Sequence, residues 1–146
     1  MAEWLSSEQR LVRAIAQHLY RSPLMKEVND QIYDKPQIDF LGDTYIVIGE
    51  TNVTDRKLST SMTEWISVTF HVYHKNEEYP ELTVDETRQF MKWLRYYAEQ
   101  ISIMSIEHYD IQSVRLDTQN VITDVDFVTQ HGVLRLKYKV RHKTRY

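Results

Sequence analysis

The sequence predicts an α+β domain, an antiparallel or mixed β-sheet with helices packed on one face. Two runs of apolar residues at helical spacing open the chain, and a third, longer one lies past its middle. Between and after them stand segments dense in β-branched and aromatic residues, one of which alternates strictly. The resulting order, helix, helix, strand, strand, helix, strands, suits hairpins backed by helices better than alternating βαβ units. At 146 residues the chain reads as a single domain spanning 1–146, long enough to bury about two-thirds of the surface it exposes when unfolded.

The first helix is predicted over about 7 to 21. Ser6 followed three residues later by Gln9 has the form of a capping box, and Leu11, Val12, Ile15, Ala16 and Leu19 recur on one face. Ser22-Pro23 is a second start signal, with Leu24 and Val28 lining a short helix that ends near Asp30. "IYDKPQIDFLGD" reads as a loop around Pro36 and Gly42 with a short extended piece at 31–33. "TYIVIGETNV" is a buried strand. In "WISVTFHVYH", Ile66, Val68, Phe70 and Val72 share one face and Ser67, Thr69, His71 and Tyr73 the other, which marks a half-buried strand.

These two strands should form a hairpin, joined by a long polar loop from Asp55 to Glu64. Its residues Asp55, Arg56, Lys57, Leu58, Ser59, Thr60, Ser61 and Met62 are read as mobile in a free subunit and ordered against a partner. Thr83 with Glu86 forms a second capping box, opening an amphipathic helix over about 84 to 101 that carries Phe90, Leu94, Tyr97, Ala98 and Ile101 on one face. The remainder reads as strands folded back on each other, reversing near 124–129, with Gly132 as the easiest place for a bulge.

Composition narrows the chemistry. The absence of cysteine removes disulfide frameworks and thiol nucleophiles. The start has Glu3 where a signal peptide would be basic, and no apolar run approaches the roughly 20 residues that span a bilayer. A soluble protein assembled in the cytoplasm, without a membrane partner, is expected. Three glycines leave little to cradle a phosphate, and no glycine-rich turn with a lysine or serine elbow is present. Asp117, Asp124 and Asp126 fail as a calcium loop, since Phe127 stands where a ligand is required. His71 and His74 have the spacing of metal ligands only on a helix; on a strand they point to opposite faces. His18, His108, His131 and His142 are not grouped with them by spacing. No catalytic, metal or cofactor site is therefore predicted, and the protein is read as a non-enzyme.

The net charge of −3 conceals an asymmetry. Six basic residues and no acidic one fall in 135–146, leaving twelve basic against twenty-one acidic side chains before it, a formal −9. In "VLRLKYKVRHKTRY" the basic residues Arg135, Lys137, Lys139 and Arg141 occupy alternate positions, so a strand over about 132–142 would present a basic face. One reading is a solvated face whose lysines protect an edge strand. The others are a contact with nucleic-acid phosphates or with an acidic neighbour. Glu77, Glu78 and Glu81 are candidates for that neighbour, in the same chain or in another copy.

"QRLVRAIAQHL", "QIYDKP", "YIVIGE", "ISVTFHVYH" and "ITDVDFVTQHGVLRLKYKV", in that order, resemble the tail completion proteins of long-tailed, siphovirus-type phages, also called tail terminators or tail-to-head joining proteins. The resemblance covers nearly the whole chain and rests on pattern and order. The chain departs from it in having Thr44 where a proline is frequent and Phe127 where a glycine is frequent. It implies a subunit of the virion, located at the tail and neck, that forms a homo-oligomeric ring, typically a hexamer, on the completed tail tube. That ring would stop tube elongation, contact the tail tube protein and dock the head-completion or neck protein, with DNA passing through it but no specific nucleic-acid recognition. The alternatives are a neighbouring neck component, such as a head-closure or adaptor protein, and a nucleic-acid-binding module using the basic strand.

Overall fold

A computed structural model describes residues 3–34, 43–103, 106–123, 128–143 and 145. The expected loop at Pro36 and Gly42, and Asp124, Asp126 and Phe127 of the expected reversal, lie outside these residues. The described elements are α1 (Glu8–Tyr20), α2 (Leu24–Glu27), β1 (Ile32–Tyr33), β2 (Thr44–Lys57), β3 (Met62–His74), α3 (Thr83–Glu99), β4 (Tyr109–Thr123) and β5 (Gln130–His142). Short 3₁₀ turns at Pro80–Leu82 and Gln100–Ile103 flank α3. None of the described helices is long and apolar enough to cross a membrane.

The strands form one sheet in the order β1-β2-β3-β5-β4. β1 runs parallel to β2, whereas β2–β3, β3–β5 and β5–β4 are antiparallel, so the sheet is mixed, as an α+β reading allows. The chain reaches β1 by turning sharply at Asn29 and Asp30, whose φ of 52° and 63° are left-handed values that short polar side chains tolerate. The basic strand β5 is interior, between β3 and β4, so its lysines do not guard an edge as one sequence reading had it.

Alternation decides which face is buried. On β3, Ile66, Val68, Phe70 and Val72 turn inward; on β5, Leu134, Leu136, Tyr138 and Val140 do so, and all eight are at most 1% exposed. The register sets Phe70 opposite Leu134 on one side and Ile48 on the other. Against this face lie Leu11, Ile15, Ala16 and Leu19 of α1 and Met91, Leu94 and Ala98 of α3. Phe90, Trp93 and Tyr97 pack on its margin. The Tyr138 hydroxyl, buried with the rest, donates to the Ala98 carbonyl at 2.9 Å, joining the sheet to the end of α3. Burial first, and then the Glu99 charge, push its pKa far up, so it remains a neutral donor.

Gly132 serves close packing and makes no bulge. Its position on β5 continues the register, opposite Val72 and Val121, while the irregularities fall at Ile48/Thr51, Ile111/Ser113 and Leu116/Thr118. A Cβ built there would collide with the Met91 side chain. Gly132→Val should consequently lower stability by about 1–3 kcal/mol through overpacking, measurable as a reduced urea midpoint with an unchanged slope.

At the two predicted capping boxes, Ser6 keeps a bond to the first amide of α1 while the Thr83 hydroxyl makes none at α3. The side chain of Ser7, the residue preceding α1, makes no capping bond to it. The Ser6 hydroxyl instead donates to Glu64 at 2.7 Å and accepts the Glu8 amide at 3.2 Å. Thr83 is the first residue of α3, and Glu86 accepts from Asn76 at 2.8 Å and bonds His74 at 3.2 Å. Glu64, wholly buried on β3, also accepts the Ser7 amide and hydroxyl at 2.7 and 2.8 Å and His142 Nε2 at 2.7 Å. The His142 ring is enclosed by the edges of Trp4 and Tyr109. One carboxylate thus gathers the segment before α1, the centre of the sheet and the end of β5.

The connection expected over 55–64 is shorter in the structure. Asp55, Arg56 and Lys57 belong to β2 and pair with Glu64, Thr63 and Met62 of β3. Only Leu58, Ser59, Thr60 and Ser61 make the turn, closed by the Leu58 amide donating to the Ser61 carbonyl at 2.7 Å. Asp55–Lys57 read as loop because the β2 arm is exposed at every position there, although Met62 and Glu64 opposite it are buried.

Candidate functional site

The face of the sheet turned away from the helices is the candidate site. Alternation places Trp65, Ser67, Thr69, His71 and Tyr73 of β3 there, and His131, Val133, Arg135, Lys137, Lys139 and Arg141 of β5 beside them. Arg135 is held 3.3 Å from Asp117 of β4. Lys137 lies between Ser67 and Arg115 in the register, so its neighbours supply no negative charge. Lys139 sits over the Trp65 ring, 5.4 Å from its centroid, where the ring's negative face attracts the ammonium. On β5 itself no aromatic residue alternates with these cations on the same face. Trp65 reaches them from the adjacent strand, a neighbour visible only once β3 and β5 are paired.

The acidic residues proposed as their partners are elsewhere. Glu77 pairs with Lys75 at 3.2 Å in the segment after β3, Glu81 is in the 3₁₀ turn that follows, and Glu78 and Glu81 are exposed. From Trp65, opposite Lys139, to the end of β3 is nine residues, about 30 Å of strand. Within one chain, therefore, Glu77, Glu78 and Glu81 do not meet Lys137 and Lys139.

The histidines divide as alternation requires. His74 faces the helices, bonded to Thr44 and to Glu86. His71 faces outward, where Nδ1 lies 2.8 Å from His131 Nε2 and Nε2 lies 3.0 Å from Glu50. Tyr45, Tyr73 and His131 stack beside it, with successive centroids 4.6 and 4.3 Å apart. This row joins residues 60 positions apart, and no spacing rule finds it; only the pairing of Tyr73 with His131 brings it together. The hydrogen bond from His71 holds the Glu50 carboxyl below its usual range, helped by a backbone bond. The contacts run in a line and do not converge on one point, and no cluster of three or more metal-ligating side chains occurs among the described residues.

Cations and aromatic rings thus share the outer surface of the sheet, with the helices on its other face. A solved structure shares the fold. The chain is similar to a component of the virion of a native gene transfer agent particle, with a TM-score of 0.73 over 88% of this chain and 92% of that one. At 13% identity that likeness establishes a shared fold. The particular resemblance comes from sequence: the chain is 26% identical over 140 residues to the tail completion protein gp17 of Bacillus phage SPP1, covering 95% of this chain and 98% of that protein. No family model matches the chain. The likeness to phage tail completion proteins read from the sequence motifs thus stands, over nearly the full length of both proteins.

Proposed function

We propose that this chain is a structural, non-enzymatic virion protein that completes a phage-type tail. It assembles as a ring on the finished tube, stops further tube addition and supplies the surface on which the head or neck docks. The observation that carries this reading is the match to a tail completion protein over 95% of this chain and 98% of that protein. Its partners are other copies of itself, the tail tube protein and a head-completion or neck protein.

Particle assembly without the chain tests it. Tails should then be irregular in length and unjoined to heads, and adding purified protein should restore both. Tubes of normal length that merely fail to join heads would favour the neighbouring neck component instead.

The basic outer face is assigned to docking against an acidic partner surface. The hairpin tip Leu58–Ser61, where Leu58 is 50% exposed, is a second contact, and Glu77, Glu78 and Glu81 mark a third at the far end of β3. Lys137→Glu combined with Lys139→Glu should leave the fold intact but reduce joining by at least about tenfold, equivalent to ~1.4 kcal/mol. Titrating the protein into incomplete tails and counting joined particles measures this. Unchanged joining would remove the basic face from the docking surface. The presence of Trp65 beside Lys139 also suits a base-stacking contact. That second reading requires tight, steeply salt-dependent binding of the free protein to single-stranded DNA.

A further inference from the structure

We infer that copies of this chain join edge to edge, β4 of one pairing antiparallel with the distal half of β2 of the next, so that a single sheet continues across the boundary. The inference rests on the ring reading above only for where the joined copies are found. The edges themselves follow from the fold.

The sheet ends in β1 on one side and β4 on the other. β1 covers only Ile46 and Val47 of β2. Beyond it, Thr51–Lys57 pairs with β3 alone, and no backbone bond reaches its other side among the described residues. The same holds for Ser113–Thr123 of β4, which pairs with β5 alone. Unpaired edges of this length present rows of amide and carbonyl groups that template a further strand. Proteins that must stay apart blunt such edges with proline or lysine. β4, "YDIQSVRLDTQNVIT", has neither; its two irregularities, another such device, fall at Ile111/Ser113 and Leu116/Thr118, and past them the regular stretch Thr118–Thr123 carries no charge and exposes Ile122 at 54%.

Direction and charge select the partner. β2, β3, β5 and β4 alternate in direction, so β2 and β4 are opposed. A neighbour added with its helices on the same side therefore meets β4 with an antiparallel β2, the more stable ladder. The helix layers then meet as well. Beside β4 lie clefts of about 330 Å³ lined by Arg88 and Lys92 of α3 and by Arg95, which is paired with Glu99, so the lining is basic in balance. Beside β2 is a groove of about 640 Å³ against α1, where Glu8 and Asp34 face the gap together with Arg13. Joining the edges carries the α3 cations towards these carboxylates. A two-fold β4–β4 pair would instead set Arg88 and Lys92 against their own copies. The favoured contact is heterologous, the type that closes into a ring when its rotation permits.

The natural absence of cysteine makes the test clean. Asn52, Thr54 and Asn120 lie on the outer face, and Val53 on the inner. Chains carrying Asn120→Cys are mixed, under mild oxidation, with chains carrying Asn52→Cys, Thr54→Cys, Arg56→Cys or Val53→Cys, both in concentrated solution and in assembled tails. Disulfide-linked dimers are expected from at least one of the outer-face mixtures and not from Val53→Cys, the period-two signature of paired strands. Dimers formed by Asn120→Cys alone, equal yields with Val53→Cys, or none from chains seated in tails would overturn edge pairing while leaving the tail assignment standing. Chains that cross-link with this alternation but never join tails would support edge pairing and refute the tail assignment. Chains that neither cross-link nor join tails would refute both.

Discussion

Glu64→Ala is expected to cost about 3–5 kcal/mol, because it strands the groups that a buried carboxylate now satisfies. Four hydrogen bonds converge on Glu64, from the Ser6 hydroxyl, the Ser7 hydroxyl and amide, and His142. With both the Glu64 and His142 side chains fully enclosed, no solvent is at hand to replace them. Burial pushes the Glu64 carboxyl up, and the bonds from Ser7, His142 and Ser6 together overcome that and hold it below its ordinary range. A depressed folded pKa means the unfolded chain takes up the proton first. The contribution is complete above the ordinary carboxylate value of about 4.3 and is lost as pH falls through the lower folded value. Urea unfolding of the wild type and of Glu64→Gln checks both points. Their difference should be flat near neutrality and shrink in acid; a difference that grew as pH fell would reverse the assignment.

Phe70→Ala is expected to cost a similar amount, about 3–5 kcal/mol, by a different route. Phe70 is 0% exposed and sits mid-strand on β3, flanked in the register by Ile48 and Leu134. Pairing on both sides fixes its backbone, so the surrounding side chains can fill the vacated volume only in part. The loss should be the same at neutral pH and in acid below about 4.3, where that of Glu64→Gln shrinks. Chemical denaturation at two pH values separates the two mechanisms.

The contrast between these residues also explains what could be read in advance. Phe70 announces itself: the alternation Ile66, Val68, Phe70, Val72 is a local pattern, and it placed β3, its inner face and the opposed directions of His71 and His74 correctly. The helices were legible for the same reason, since Leu11, Ile15 and Leu19 report their burial by spacing alone. Glu64 gives no such sign. In sequence it is one polar residue in a polar stretch, and its partners Ser7 and His142 are 57 and 78 positions away. Ser6 reads as a cap and does accept the Glu8 amide, but its hydroxyl proton goes to the buried Glu64 carboxylate, which no local pattern announces. The hairpin tip was misread because a strand exposed on both faces loses its hydrophobic rhythm, as Asp55–Lys57 does. The outer face was legible only on one strand. Arg135, Lys137, Lys139 and Arg141 could be placed together, whereas Trp65 beside Lys139 and His131 beside His71 depend on which strands become neighbours.

The place of β5 within the sheet has a consequence for the growing chain. It lies between β3 and β4 and pairs with both along almost their whole lengths, yet it follows every other described element in the sequence. During synthesis, β2 and β3 can close as a local hairpin, but β3 keeps a bare apolar flank until the final strand leaves the ribosome and inserts. At about 5–20 residues per second, the roughly 70 residues between the end of β3 and the end of β5 leave that flank open for several seconds. Early release or a truncation within β5 would abandon a half-built sheet with its stickiest strand uncovered, a species more prone to aggregate than to fold.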